Sequence, residues 1–181
     1  MADEEQKTKV LTKNPLGPSG EAVAENIERL IGEKNLTFAA LSKLLTEMKR
    51  PIPPLGLRKI VGRTRRVDAD DLVALAAALD VSPVTLLMPN TEHGRDEVQV
   101  TGSEHPVGAQ ELWFWLRADT PLFDDRLPIV FHDAAWPRWR LRQRQLADEK
   151  ALLMERVAES LADPDRAEKL REIFEVSDGD D

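Results

Sequence analysis

Apolar residues recur at helical spacing through the first half of the chain. Val23, Ile27 and Leu30 fall on one face of a helix that runs from about Gly20 to Lys34. The same periodicity predicts four further helices, at residues 37–48, 54–61 and 69–79 and from Pro83 to about Met88. Five short helices joined by short loops predict a small α-helical domain over residues 20–90.

Three of these helices begin with the same arrangement of residues. An apolar residue precedes a capping residue, and a second apolar residue follows four positions after the cap. The three examples are Leu36-Thr37 with Leu41, Val67-Asp68 with Leu72, and Val81-Ser82 with Leu86. The capping oxygen can accept a hydrogen bond from a free backbone N–H group, and the apolar pair fixes the direction in which the chain enters the helix. We therefore predict that Thr37, Asp68 and Ser82 are helix caps.

Beyond Asn90 the pattern changes to a polar linker at residues 91–97, followed by a smaller, mostly helical region at 98–175. Its predicted elements are a strand at 98–101, helices at 110–116, 133–161 and 164–174, and a second strand at 127–131. Residues 1–19 lack periodicity and predict a disordered arm, and residues 176–181 form an acidic tail. The predicted fold class is mainly α, with a short β hairpin in the C-terminal region.

The charge of the chain is unevenly distributed. The 181 residues carry a formal net charge of −8, but residues 148–181 alone hold twelve acidic and five basic side chains. Residues 49–66 hold seven basic side chains and no acidic one. Because a polyanion responds to local charge more than to the total, this basic stretch predicts a surface for nucleic acid.

Several segments of the first domain match a known sequence pattern. They are Leu36-Thr37-Phe38-Ala39-Ala40-Leu41-Ser42, Leu57-Arg58-Lys59-Ile60, residues 65–83 and Leu86-Leu87. The most specific part is a helix that ends in Leu79-Asp80-Val81-Ser82 before a short fifth helix. In these segments the chain resembles the Cro and phage-repressor type of helix-turn-helix protein, also called XRE-like. The resemblance covers about 70 residues, from Gly20 to Pro89, and implies a five-helix, lambda-repressor-like domain.

In that family the third helix lies in the major groove of DNA. The resemblance implies base-reading positions at Pro54, Leu55, Gly56 and Lys59, of which Lys59 alone has a useful side-chain donor. Arginines at or just beyond this helix are placed to contact phosphates. The predicted DNA-binding residues are Thr37, Leu55, Gly56, Arg58, Lys59, Arg63, Arg65 and Arg66. The chain departs from the family in its proline-rich connection at residues 46–53, which is longer than the usual tight turn.

Two aromatic groups each have two interpretations. Trp113, Phe114 and Trp115 either line a ligand pocket or pack in a core, and packing is the commoner role of such residues. Trp136 and Trp139 lie among four arginines, at positions 138, 140, 142 and 144. This second group predicts either another nucleic-acid surface or a helix whose rings pack inward while its arginines extend into solvent.

The predicted long helix carries a wide apolar stripe. Its members are Leu146, Ala147, Ala151, Leu153, Met154, Val157, Ala158 and Leu161. Such a stripe is too wide for a helix surrounded by solvent, and the region beyond Asn90 offers little other apolar surface. We therefore predict a homodimer held by Leu146, Leu153, Met154, Val157 and Leu161.

The sequence gives no reason to expect an enzyme or a cofactor. There is no cysteine, so disulfides and thiolate metal sites are excluded. His93, His105 and His132 lack metal-ligand spacing, and there is no glycine-rich phosphate loop. No apolar run approaches the roughly 18 residues of a membrane span, so a cytoplasmic protein without a membrane partner is expected.

The favoured function is a bacterial or phage-type transcriptional regulator, such as a repressor, that binds specific double-stranded DNA as a homodimer. Bound to DNA, it would be associated with the nucleoid. The alternative is a protein-interaction adaptor that keeps the helix-turn-helix scaffold and binds a partner protein through the C-terminal region. The basic stretch favours the first interpretation, whereas the acidic end and the few base-reading side chains favour the second.

Overall fold

The structure is a computed structural model that describes residues 15–123 and 127–162. These residues form eight helices and one small antiparallel hairpin, so the predicted mainly α fold is confirmed. They fall into two compact units, one on each side of residues 124–126. The predicted helix at 164–174 and the acidic tail lie outside the described residues.

The first unit begins with the five predicted helices. They are α1 (Pro18–Glu33), α2 (Phe38–Glu47), α3 (Pro54–Val61), α4 (Ala69–Ala78) and α5 (Pro83–Leu87). Three of them have proline in the first turn, where the missing N–H group costs nothing. Because Pro18 starts α1, the helix extends two residues into the arm predicted at 1–19.

The three predicted caps are confirmed. The side chain of Thr37 accepts a hydrogen bond from the Ala40 amide at 3.1 Å, and that of Asp68 accepts one from the Asp71 amide at 2.7 Å. The Ser82 hydroxyl accepts a bond from Val84 N at 3.2 Å. The apolar partners of these caps all lie in or against one core. These local signals therefore set three of the five helix starts.

The core of this bundle is built from side chains that are almost completely buried. They are Ile27, Leu41, Leu45, Ile52, Leu57, Ile60, Leu75, Leu79 and Leu86. Ile52 belongs to the proline-rich connection between α2 and α3, so this longer loop packs into the core. Its burial holds the start of α3 against the rest of the bundle.

A second, smaller core follows in the same unit. Strand β1 (Glu97–Val98) pairs antiparallel with β2 (Val107–Gly108), with Glu97 opposite Gly108, and α6 (Ala109–Leu116) comes next. Val98, Val107 and Leu112 are buried here, with Trp115 packed against them. For Trp115, the interpretation as a core residue is therefore confirmed.

The second predicted strand, at residues 127–131, is wrong. This segment begins α7 (Pro128–Ala135), and the partner of β1 is Val107–Gly108. β-Branched residues such as Ile129 and Val130 are typical of strands, but Pro128 has no N–H group to give to a sheet and is suited to the first position of a helix.

The long helix is α8 (Arg138–Ala162), and its predicted start at Asp133 is also wrong. Asp133 lies inside α7. Pro137 disfavours helical backbone at the residue before it, and Trp136 is extended with ψ 144°. The helical segment is therefore divided in two at this proline.

Candidate nucleic-acid interface

One face of α3 is directed to solvent. Leu55, Arg58 and Lys59 are exposed at positions i, i+3 and i+4, and Leu55 keeps 64% of its surface. Leu57 and Ile60, on the opposite side of the helix, are fully buried. The bundle thus holds α3 by one side and leaves these three residues, the outward face of α3, free for contact.

The start of α2 lies beside this face. The guanidinium of Arg58 lies 5.6 Å from the ring centroid of Phe38, the first residue of α2, which is close enough for a cation–π interaction. Thr37, the preceding residue, is exposed. Its hydroxyl oxygen accepts the capping bond, so its proton can still be donated to a phosphate. The structure therefore brings together Thr37, Arg58, Lys59 and Leu55.

Arg63 marks the other end of α3. It follows the C-cap Gly62 with a left-handed backbone, φ 58°, and its side chain is exposed. The amides of Arg63 and Thr64 donate to the carbonyls of Ile60 and Lys59 at 2.9 and 2.8 Å, which completes the helix end. Arg63 therefore has a fixed backbone and an exposed cationic side chain.

Two cations of the basic stretch are neutralised within the fold. Asp71 is buried and accepts bonds from Arg50 Nε and Arg65 Nη2, each at 2.8 Å. Arg50 also forms an ion pair with Asp68 at 2.9 Å and another with Asp70 at 3.5 Å. This Asp71 network joins the loops before and after α3 to the first turn of α4. The sequence alone suggested seven uncompensated cations, and the structure corrects this expectation for Arg50 and Arg65.

The network changes the titration of two of its members. The Asp71 carboxylate, by accepting a hydrogen bond, raises the pKa of Arg50 above its ordinary value, with attraction from Asp68 and Asp70 adding to the effect. The pKa of Asp68 is lowered from its ordinary 3.8, first by the Asp71 amide hydrogen bond and then by the charge of Arg50. Both groups are thus held in their charged forms.

Gly56 has a packing role in this arrangement. A Cβ at this position would lie 2.6 Å from Arg65 Nη1 and 3.2 Å from Cγ2 of Ile52. The absence of a side chain lets the Arg65 guanidinium cross the start of α3 and reach Asp71. Arg65 is therefore first a structural residue, and its predicted phosphate contact remains a prediction.

Arg66 is directed toward the N-terminal segment. Its Nη1 donates to the carbonyl of Pro15 at 2.9 Å. The structure thus places Arg65 and Arg66 in intramolecular contacts, although both were predicted as phosphate contacts. The sequence did contain a signal for Arg65, since three aspartates at positions 68, 70 and 71 follow it closely.

Four of the five predicted dimerisation residues have side chains that the structure describes, and all four are exposed. Leu146 and Leu153 each keep 59% of their surface, Met154 keeps 60% and Val157 keeps 43%. The side chain of Leu161 lies outside the described part of the structure. The apolar stripe of α8 is therefore not buried along the part that the structure describes.

The aromatic group at the start of α8 is a stacked cluster. Trp136 stacks on His132 with ring centroids 4.0 Å apart, and the Arg140 guanidinium lies 4.2 Å from the Trp136 centroid. Arg144 contacts His132 Nδ1 at 3.1 Å, and Trp139 is 62% exposed. Arg140 thus folds over a ring instead of extending into solvent.

A cleft of about 450 Å³ lies elsewhere in the first unit. Trp113 lines it, as do Asn26 and Arg29 of α1. The buried Asn26 amide donates to the carbonyls of Leu86 and Met88 at 3.1 and 2.7 Å, and its oxygen accepts from Arg29. Asn26 therefore links α1 to the end of α5.

Within residues 15–123 and 127–162, no three metal-ligating side chains come together. None of the helices in these ranges combines the length and apolarity that a membrane span needs.

No protein-family model matches the chain, and no similar protein was found among curated sequences or solved structures. Function is therefore inferred from the residues of the site.

Proposed function

We propose that this protein is a cytoplasmic transcriptional regulator, such as a repressor, that binds specific double-stranded DNA with α3 and acts as a homodimer. The observation that carries the proposal is the outward face of α3, where Leu55, Arg58 and Lys59 are exposed on a helix whose other side is fully buried. The major groove is wide enough to admit an α-helix held in this way.

Each residue of this face has a distinct role in the proposal. Lys59 donates to acceptors on guanine, and Leu55 contacts a thymine methyl group. Arg58, whose guanidinium lies against the Phe38 ring at the start of α2, reaches a phosphate beside Thr37. Arg63 reaches a phosphate at the other end of α3. One base-reading donor gives modest selectivity, so sequence-dependent DNA shape contributes as well.

The test measures affinity for labelled duplexes as a function of salt, after selecting bound sequences from a random pool. Lys59→Ala should reduce the preference for the selected duplex over random DNA by about 1–3 kcal/mol. Lys43→Ala is a matched control, because Lys43 is an exposed lysine of α2 whose partner is Glu47 at 4.0 Å. If the unmodified protein binds no duplex at low salt, the proposal is wrong.

The adaptor alternative has one specific observation in its favour. Two of the seven cations are neutralised by aspartates, whereas α8 leaves a run of apolar side chains exposed. If the protein fails to bind DNA but binds a different protein through α8, the adaptor interpretation replaces the proposed one.

A further inference from the structure

We infer that the apolar stripe of α8 binds the same stripe of a second copy of this chain, with the two helices antiparallel. The inference rests on the proposed homodimer and adds the direction in which the two subunits meet.

The first observation is the exposure of α8. Every residue from 145 to 159 is exposed, including the stripe residues Leu146, Leu153 and Met154. Ala147, Ala151, Met154 and Ala158 repeat with spacings of four, three and four, which is the spacing of a helix that packs along another helix. The short alanine side chains allow the two backbones to approach closely.

The second observation is the division of charge along α8. Its first seven residues, 138–144, carry four arginines and no acid. Residues 148–159 carry four acidic and two basic side chains. Among the described residues, Arg138, Arg142, Glu149 and Glu159 form no ion pair, whereas Arg144 is 3.8 Å from Asp148. Most of these charges are therefore available to a partner.

This distribution opposes the intrinsic preference of a helix. Cations are disfavoured near a helix N-terminus and anions near its C-terminus, because the backbone dipole has the same sign there. The arginines of α8 occupy its first two turns, and Glu159 lies in its last turn. A neighbouring helix of opposite direction would offset part of this cost, since its C-terminal end, where the backbone dipole is negative, would lie near these arginines.

The polarity follows from the same charges. In a parallel pair, the four arginines of one helix would lie against the four arginines of the other. In an antiparallel pair centred near residue 152, Arg144 lies close to Glu159 of the second copy, and the stripes still face each other. The antiparallel arrangement therefore keeps the arginine segments of the two copies apart while the apolar stripes still face each other.

Cysteine cross-linking of the full-length protein tests the polarity, because the native chain contains no cysteine. The substitutions Leu146→Cys and Val157→Cys lie on the same side of α8, about three helical turns apart. In the antiparallel pair, the two copies of position 146 are about 16 Å apart, too far for a disulfide, which needs Cα atoms within about 7 Å. Position 146 of one copy instead faces position 157 of the other. Leu152→Cys, exposed but off the stripe, is the control for random collisions.

We expect a disulfide dimer when the Leu146→Cys and Val157→Cys chains are co-expressed and oxidised, and little from either chain alone. A disulfide dimer from each variant alone would show parallel pairing and overturn the inference. No cross-link above the Leu152→Cys control would show that this stripe does not pair. Since no DNA is present, a failure of duplex binding would leave this result unchanged.

Discussion

At the residue scale, five helix ends in the described part of the chain use a non-glycine residue with left-handed backbone. These residues are Asn35, Lys49, Arg63, Asp80 and Ala118, with φ between 51° and 61°. Each follows a helix C-cap and donates its amide back into the last turn. Left-handed backbone costs free energy at a residue that has a Cβ atom. Glycine at these positions would therefore make the folded protein more stable.

Arg63→Gly should therefore separate stability from DNA binding. Relief of the left-handed backbone should raise the free energy of unfolding by about 0.5–1 kcal/mol. Loss of the exposed guanidinium should weaken duplex binding and lower the salt slope by about 1. Urea unfolding and fluorescence anisotropy measure the two effects.

Asp80→Gly is the matched control, since Asp80 has φ 53° after α4. It should stabilise the fold and leave duplex binding unchanged. Unchanged binding by Arg63→Gly would remove Arg63 from the proposed interface.

Asp68 makes the stability depend on pH. Because the pKa of Asp68 is lowered in the folded protein, the charged carboxylate is favoured more strongly in the folded state than in the unfolded chain. This contribution is complete above the ordinary pKa of 3.8 and is lost as the pH falls through the lower folded value. We expect urea unfolding to show a loss of stability below about pH 4.

Asp68→Asn should make this decline shallower, because asparagine keeps the cap but does not titrate. The variant should be less stable than the native chain at neutral pH, since the Arg50 ion pair is lost. An unaltered pH profile in the variant would assign the decline to other carboxylates.

At the scale of the elements, the position of α3 depends on the Asp71 network and on Ile52. Arg50 and Arg65 come from the loops on either side of α3, and both are bonded to one buried carboxylate at the start of α4. The long α2–α3 connection is thereby held by an ion pair as well as by apolar packing. A rigid α3 is what a helix placed in a groove requires.

Asp71→Ala should destabilise the first unit by about 2–3 kcal/mol, because it removes two charge-assisted hydrogen bonds and leaves two arginines without their buried partner. Glu47→Ala is the comparison, since Glu47 is a solvent-exposed ion-pair partner at 4.0 Å and should cost little. Thermal unfolding by circular dichroism measures both. Equal, small effects would show that the network does not hold α3.

At the scale of the whole molecule, α8 does not bury its apolar stripe in the single chain. Its 25 residues extend about 37 Å at roughly 1.5 Å per residue. A helix that is mostly solvated along this length would gain stability by packing against a second helix. A two-fold dimer that binds DNA would also have to place two copies of α3 about 34 Å apart, one turn of DNA.

Leu153→Asp with Val157→Asp should convert the dimer to a monomer while the N-terminal bundle stays folded. Pairing would bury the two introduced aspartates, and the free-energy cost of removing their charges from water would exceed the gain from helix packing. Sedimentation at tens of micromolar measures the mass, and helical content checks the fold. Leu152→Asp is the control, because Leu152 is 58% exposed but points away from the stripe. A monomeric native protein, free and on DNA, would contradict the prediction.

The sequence by itself determined the five helices of the first domain, because their caps, prolines and apolar spacing act within a few residues of one another. Through the helix-turn-helix resemblance it also indicated Leu55, Arg58 and Lys59 of α3, and the structure exposes all three. The tertiary structure alone decided the partners of Arg65 and Arg66 and the strand opposite β1. The division of the long helix at Pro137 follows instead from a local signal, since proline disfavours helical backbone at the residue before it. Ion pairs and strand pairing join residues that are separate in the chain, so periodicity and local charge do not specify them.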